Sequence, residues 1–293
     1  MTLMRIGATV VMLAVLGLVP GAQAAGPAGA AQRATAGDQA LKSAGDFYQR
    51  AKAYAKAGKA DLAMADLDRA IALDPAMGAA YYDRALLHFK KGDVDKAIDD
   101  YSKAIGVLPE FPPAYRERGS ALIAKRAFKK AIADFDQAIK LKADYADAFD
   151  ERGYAYRMLK DYDRAIADYT RALEINPKMY VTQMRRCWVR AVANRELDLA
   201  LSDCDAALKA NAKDKEGYES RAFVYFRKSD MAKALKDCET ALAMDGKMPK
   251  ALFLRGIMKT RGGDKKGGDA DIAAAKLSDP EVANKFASYG VTG

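Results

Sequence analysis

The 293 residues carry 48 Lys+Arg against 39 Asp+Glu, a net charge of +9 with no cluster of basic residues. That bias describes a solvated surface, or a mild attraction to an acidic partner or an anionic envelope surface. One histidine and three cysteines show no zinc spacing; with no P-loop, no G-x-S-x-G and no nucleic-acid reading motif, no catalytic residue, metal site or cofactor is expected.

In chain order, Arg5 is the only charge before a run from Ile6 to Val19 free of ionisable groups. Pro20-Gly21 and Ala22-Gln23-Ala24 then supply a break and a small-x-small cleavage site. Residues 1–24 are therefore predicted to be a secretory signal peptide, and the mature protein to be exported, in the bacterial periplasm. The run is shorter than the ~20 apolar residues of a comfortable membrane span. The Ala/Gly stretch continues to Ala31, however, so the alternative is an uncleaved helix that tethers an assembly factor to the membrane. Residues 25–43 have too little bulky apolar content to pack and are expected to form a flexible lead.

From residue 44 onward the chain is periodic. Arg50, Arg84, Arg118, Arg152, Arg186, Arg221 and Arg255 keep step with Asp66, Asp100, Asp134, Asp168, Asp203, Asp237 and Asp271. Every step is 34 residues except one of 35, which places a single inserted residue between Arg186 and Asp203. Such a period predicts a solenoid in which each unit buries its apolar face against its neighbours. Within one unit, Phe149, Gly153 and Tyr156, then Ala165, Tyr169 and Ala172, each have the i, i+4, i+7 spacing of one helical face. Two amphipathic helices joined at Leu159 to Asp163 make a helical hairpin closed by Pro177. Small residues recur where the two helices must cross closely, among them Gly119, Gly153 and Cys187.

These positions resemble the tetratricopeptide repeat (TPR), whose aromatic, small, tyrosine, alanine, aromatic, alanine and proline pattern stands at Phe149, Gly153, Tyr156, Ala165, Tyr169, Ala172 and Pro177. The resemblance implies an all-α, right-handed superhelical solenoid of seven hairpins at 44–77, 78–111, 112–145, 146–179, 180–214, 215–248 and 249–282. It weakens in the fifth unit, where Gln183 and Arg190 replace aromatics. It weakens again in the seventh, where Gly262, Gly263, Gly267 and Gly268 are expected to loosen the turn and the start of the second helix. A capping helix, read over Glu281 to Tyr289 in a terminal segment 283–293, is expected to cover the last hairpin.

The Arg and Asp ladders are expected to pair with each other, within a hairpin or between neighbours, because a charge at a semi-buried interface must be compensated. Repeats about 10 Å apart cannot bring successive carboxylates onto one metal ion. His88 stands where Tyr54 and Tyr156 stand in other units and is expected to fill core space. Cys187 and Cys204 face each other within the fifth unit, which predicts a disulfide in an oxidising compartment and leaves Cys238 free and buried. Three small apolar core residues are the alternative.

The resemblance further implies that the first helices line a concave groove. Carried onto this chain, the groove comprises Tyr48, Tyr82, Phe89, Arg116, Tyr154, Arg157, Trp188, Phe223, Phe226, Arg227 and Phe253. No unit carries the lysine and asparagine of the carboxylate clamp found in chaperone-binding TPR domains; those sites read Tyr48 and Lys52, then Tyr82 and Leu86. Large apolar groups on a solvated groove predict a surface for another protein, engaged through an extended or helical peptide segment with apolar anchors. Burial against the chain itself, by the 25–43 lead or by neighbouring aromatics, is the other way to satisfy them. The expected function is a non-catalytic interaction or scaffold module of the cell envelope.

Overall fold

A computed structural model of the protein describes residues 41–292. The predicted signal peptide and all but the end of the predicted lead lie outside the described residues. From Ala44 the chain forms helices only: α1 (Ala44–Lys56), α2 (Ala60–Leu73), α3 (Gly78–Lys91), α4 (Val94–Val107), α5 (Pro112–Ala124), α6 (Phe128–Leu141), α7 (Ala146–Met158), α8 (Tyr162–Ile175), α9 (Tyr180–Ala193), α10 (Leu197–Ala210), α11 (Lys215–Arg227), α12 (Met231–Met244), α13 (Pro249–Arg261), α14 (Lys265–Ser278) and α15 (Val282–Ser288). The first fourteen form seven antiparallel hairpins stacked in sequence, an all-α solenoid.

Each turn between the two helices of a hairpin contains a left-handed residue. Gly58, Gly92 and Gly263 fill it without steric cost, while Arg126, Lys160, Asn194 and Ser229 adopt it at φ between 53° and 62°. The fifth turn adds a second left-handed residue, Glu196, just before α10. The extra residue of the 35-residue step is thus absorbed in the turn, and both helices keep their register.

Helix pairs close on alanine and glycine. Ala63, Ala97, Ala131, Ala165 and Ala200 are fully buried, as are the large rings of Tyr101, Phe135 and Tyr169. Gly267 and Gly268 do not loosen the seventh hairpin: α14 runs through them, and Asp264 caps it by accepting the Gly267 N–H at 2.9 Å. A Cβ on Gly268 would come within 2.7 Å of the Gly256 carbonyl oxygen. Glycine is required there by the close crossing of α13 and α14.

The charged ladders pair in one repeating geometry. Arg152 donates from Nε and Nη2 to the two oxygens of Asp168 at 2.8 and 2.7 Å, and from Nη1 to Asp136 of the preceding hairpin at 2.6 Å. The two-pronged contact recurs within every hairpin from Arg50–Asp66 to Arg255–Asp271. The third donor reaches Asp68, Ser102, Thr170 and Asp205 from Arg84, Arg118, Arg186 and Arg221. The question of pairing within or between repeats has both answers: the fork closes the hairpin, and an Nη1 N–H of Arg84, Arg118, Arg152, Arg186 and Arg221 ties it to the hairpin before. Arg190, which replaces an aromatic in the fifth hairpin, joins this network by donating to Asp203 at 2.6 Å and Glu196 at 2.8 Å. His88 lies at the edge of the second pair, with Nε2 4.0 Å from Asp100 and Nδ1 3.5 Å from Asp93.

Candidate functional site: the concave groove

First helices of successive hairpins touch one another from α3 through α13, whereas no comparable contact joins successive second helices among the described residues. Crowding on one side and splaying on the other curves the stack, so the first helices line its inner face.

In the N-terminal half of that face, Tyr48, Tyr82, Leu86, Phe89, Arg116, Tyr154 and Arg157 are half-buried. Tyr82 packs edge-on against Phe111 at 5.0 Å and tilts over Tyr101 at 5.9 Å. Tyr154 lies between two guanidinium groups, Arg157 at 4.8 Å and Arg185 at 5.5 Å from its ring centre, an arrangement that stabilises a cation over an aromatic face.

Between these rings runs a stripe of carboxylates not anticipated from the sequence: Asp83, Glu117 and Glu151, one per hairpin. Arg116 lies 3.1 Å from Glu117 and 3.3 Å from Glu151, and the Ser120 hydroxyl donates to Glu151. Asp150 accepts from Thr182 at 2.9 Å and from Arg185. Burial raises the pKa of Asp83, Glu117 and Asp150, and pushes Glu151 up to about 7 against the opposing pull of Arg116 and Ser120. The same burial, with Asp83 beside it, pushes Tyr48 up to about 12. The inner face here is thus a mixed surface of half-exposed rings and partly desolvated charge.

The C-terminal half departs from expectation. Trp188, Phe223, Phe226 and Phe253 do not face solvent as free anchors; Phe223 is 0% exposed and Trp188 9%. They are covered from within the chain, because α15 lies across them. Phe286 sits 5.5 Å from the Phe223 ring and 5.1 Å from Phe253, and Tyr289 meets Trp188 edge-on at 6.0 Å. Arg227, also expected at the groove rim, donates to the main-chain carbonyls of Tyr289 and Ala191. Arg261 donates to the Thr292 carbonyl at 2.9 Å. Beside α15 a cleft of about 450 Å³ opens among Arg157, Tyr162, Trp188, Lys285 and Tyr289.

In the fifth hairpin the sulfurs of Cys187 and Cys204 lie at bonding distance, 2.02 Å, with Cα atoms 5.6 Å apart; Cys238 is free and buried. Among the described residues no group of His, Cys, Asp and Glu could hold a metal ion, and no helix is long and apolar enough to cross a membrane.

A curved stack of helical hairpins with an aromatic and charged inner face belongs to the class of helical-repeat scaffolds for protein–protein interaction. Family models described as "Tetratricopeptide repeat" match residues 48–115, 112–145 and 146–179. The chain is a tetratricopeptide repeat protein. Comparison with curated proteins gives no match. Among solved structures, a tetratricopeptide repeat protein from Parabacteroides merdae is similar at TM-score 0.63 and 18% identity, over 85% of this chain and 99% of the other. YrrB, described as a TPR protein with an unusual peptide-binding site, is similar at TM-score 0.56 and 22% identity, over 64% and 95%. PilW, a type IV pilus biogenesis factor, is similar at TM-score 0.60 and 15% identity, over 73% and 98%. At these identities the likeness is one of fold.

Proposed function

We propose that this protein is a non-catalytic scaffold of the cell envelope, and that the inner face of its first four hairpins holds a peptide or helical segment of another protein. The observation that carries the reading is the half-exposed row Tyr48, Tyr82, Leu86, Phe89 and Tyr154, interleaved with the carboxylates Asp83, Glu117 and Glu151. Tyr48, Tyr82, Leu86 and Phe89 pack on the hairpin cores with one side only and keep the rest of their surface open, and aromatic groups are enriched at binding surfaces. The peptide-binding site described for YrrB supports the class of ligand. The Arg5-to-Ala24 pattern and the Cys187–Cys204 pair support export to an oxidising compartment.

The test is capture from the envelope fraction with the wild type and with Tyr48→Ala/Tyr154→Ala. The same partner should be lost from the variant while the thermal midpoint stays within a few degrees; capture unchanged by the variant removes this face from the function. Intact mass of the purified protein separates a cleaved, exported form lacking residues 1–24 from one tethered by an uncleaved N-terminal helix.

A further inference from the structure

The C-terminal segment sits on repeats five to seven as a bound peptide would. Its helix, α15, has only 7 residues, far below the roughly 12–15 at which an isolated helix becomes marginally stable. Its helicity therefore comes from the surface beneath it. Val282, Phe286 and Tyr289 fall at i, i+4 and i+7; Val282 and Phe286 are 0% and 1% exposed, and Val291 beyond them is buried at 3%. Asn284, Lys285 and Ser288 face outward. The receptor side is Trp188, Phe223 and Phe253, with Phe223 touching both Phe286 and Tyr289.

The polar contacts are of a general kind. Arg227, at the last turn of α11, and Arg261, at the last turn of α13, hydrogen-bond the main-chain carbonyls of Tyr289 and Thr292. Main-chain carbonyls are offered by any segment of the same backbone shape, so only the apolar pockets select side chains. Residues 279–281, with Pro280 among them, are all that join α14 to α15, and the adjacent cleft of about 450 Å³ leaves Trp188 and Arg157 reachable beside the seated helix.

We propose that residues 282–292 are a ligand held in cis, and that repeats five to seven bind, in their place, a partner segment of the same chemistry. That segment is a short amphipathic helix with apolar groups at i, i+4 and i+7, running into an extended tail. This rests on the reading of the inner face as an interaction surface. The full groove becomes continuous only when α15 leaves, so its occupancy competes with the partner.

The probe is a fluorescent synthetic peptide of residues 281–292, titrated by anisotropy into the full chain and into the full chain carrying Phe286→Ala/Tyr289→Ala. A competitor held in cis reduces apparent affinity by the fraction of time that the site is filled. The variant should therefore bind the peptide at least about tenfold more tightly than the wild type. A variant with unchanged helical circular dichroism and no gain in affinity overturns the proposal.

Hydrogen exchange on the unaltered protein decides the case if that variant does not fold. Amides of 283–291 should exchange well before those of α13, through local release of α15. Exchange at the same rate in both would show a fixed cap that opens only with global unfolding, and would also overturn the proposal. Neither result bears on capture by the first four hairpins, which the Tyr48 and Tyr154 variants test separately.

Discussion

Arg152 holds Asp168 in a two-pronged contact at 2.8 and 2.7 Å and donates from Nη1 to Asp136 of the hairpin before it. One side chain thus closes a hairpin and bonds it to the preceding one, and the arrangement recurs along the array. Asp168 is 8% exposed and Arg152 18% at the side chain, so removing the carboxylate leaves a largely desolvated guanidinium with only the Asp136 oxygen of its three acceptors. Asp168→Ala should lose about 3–5 kcal/mol of stability, the range for breaking a buried pair from one side. Glu174→Ala, which removes an exposed partner of Arg171, should cost under about 1 kcal/mol. Urea midpoints of the two variants check this; equal, small losses would mean that the ladder is solvated.

The two halves of the inner face should respond oppositely to truncation. Phe223 is fully buried under Phe286, and Phe223→Ala should cost about 3–5 kcal/mol as a core cavity does. Tyr154 is half-exposed between Arg157 and Arg185, and its replacement by alanine should cost about 1 kcal/mol, the loss of cation–aromatic contacts at a wet site. Thermal melts separate the two; comparable losses would place Tyr154 in the core.

Stability should carry a pH signature from Glu151. Burial raises its pKa from 4.5 to about 7 in the folded protein, so the folded chain holds a proton there that the unfolded chain releases. Its contribution is present in full below about 4.5 and is lost as pH rises through about 7. The wild type should lose more in melting temperature between pH 5 and pH 8 than Glu151→Gln does, because glutamine keeps an acceptor for Ser120 and does not titrate. Identical pH slopes would show that Glu151 is ionised throughout.

Thiol chemistry tests the fifth hairpin. Protein isolated without reductant and denatured should show one reactive thiol, that of Cys238, and three after reduction. Three without reduction would make Cys187 and Cys204 small core residues only. A bridge closing a loop of 17 residues is worth about 3 kcal/mol in the chain-entropy model. Reduction should therefore lower the urea midpoint of the oxidised protein.

The hairpins were legible because each unit solves the same packing problem: Gly153, Ala165, Tyr169 and Ala172 recur at fixed spacing wherever two helices must cross. The Arg and Asp partners stood out for the same reason, although their third contact depends on the stacking distance between hairpins and is not written in one unit. The carboxylate stripe also recurs, but Asp83, Glu117 and Glu151 each precede a ladder arginine directly and are masked in a charged pair. The capping helix was legible as well: Glu281 to Tyr289 read as a cover for the last hairpin, and α15 meets α13 and α14. Its reach beyond that hairpin, over Trp188 and Phe223, was the miss, because the apolar face of Val282, Phe286 and Tyr289 does not say how far it extends. Its match to Trp188, Phe223 and Phe253 exists only once the solenoid has stacked three successive hairpins side by side.

The central claim is that the inner face of the first four hairpins is the working surface. A photo-crosslinking residue placed at Leu86, on that face, and in a second protein at Leu199, exposed at 53% on a second helix, tests it in intact cells. The account predicts a discrete adduct with another protein from position 86 and none from position 199. Adducts of equal yield from both positions, or an adduct from position 199 alone, would contradict it.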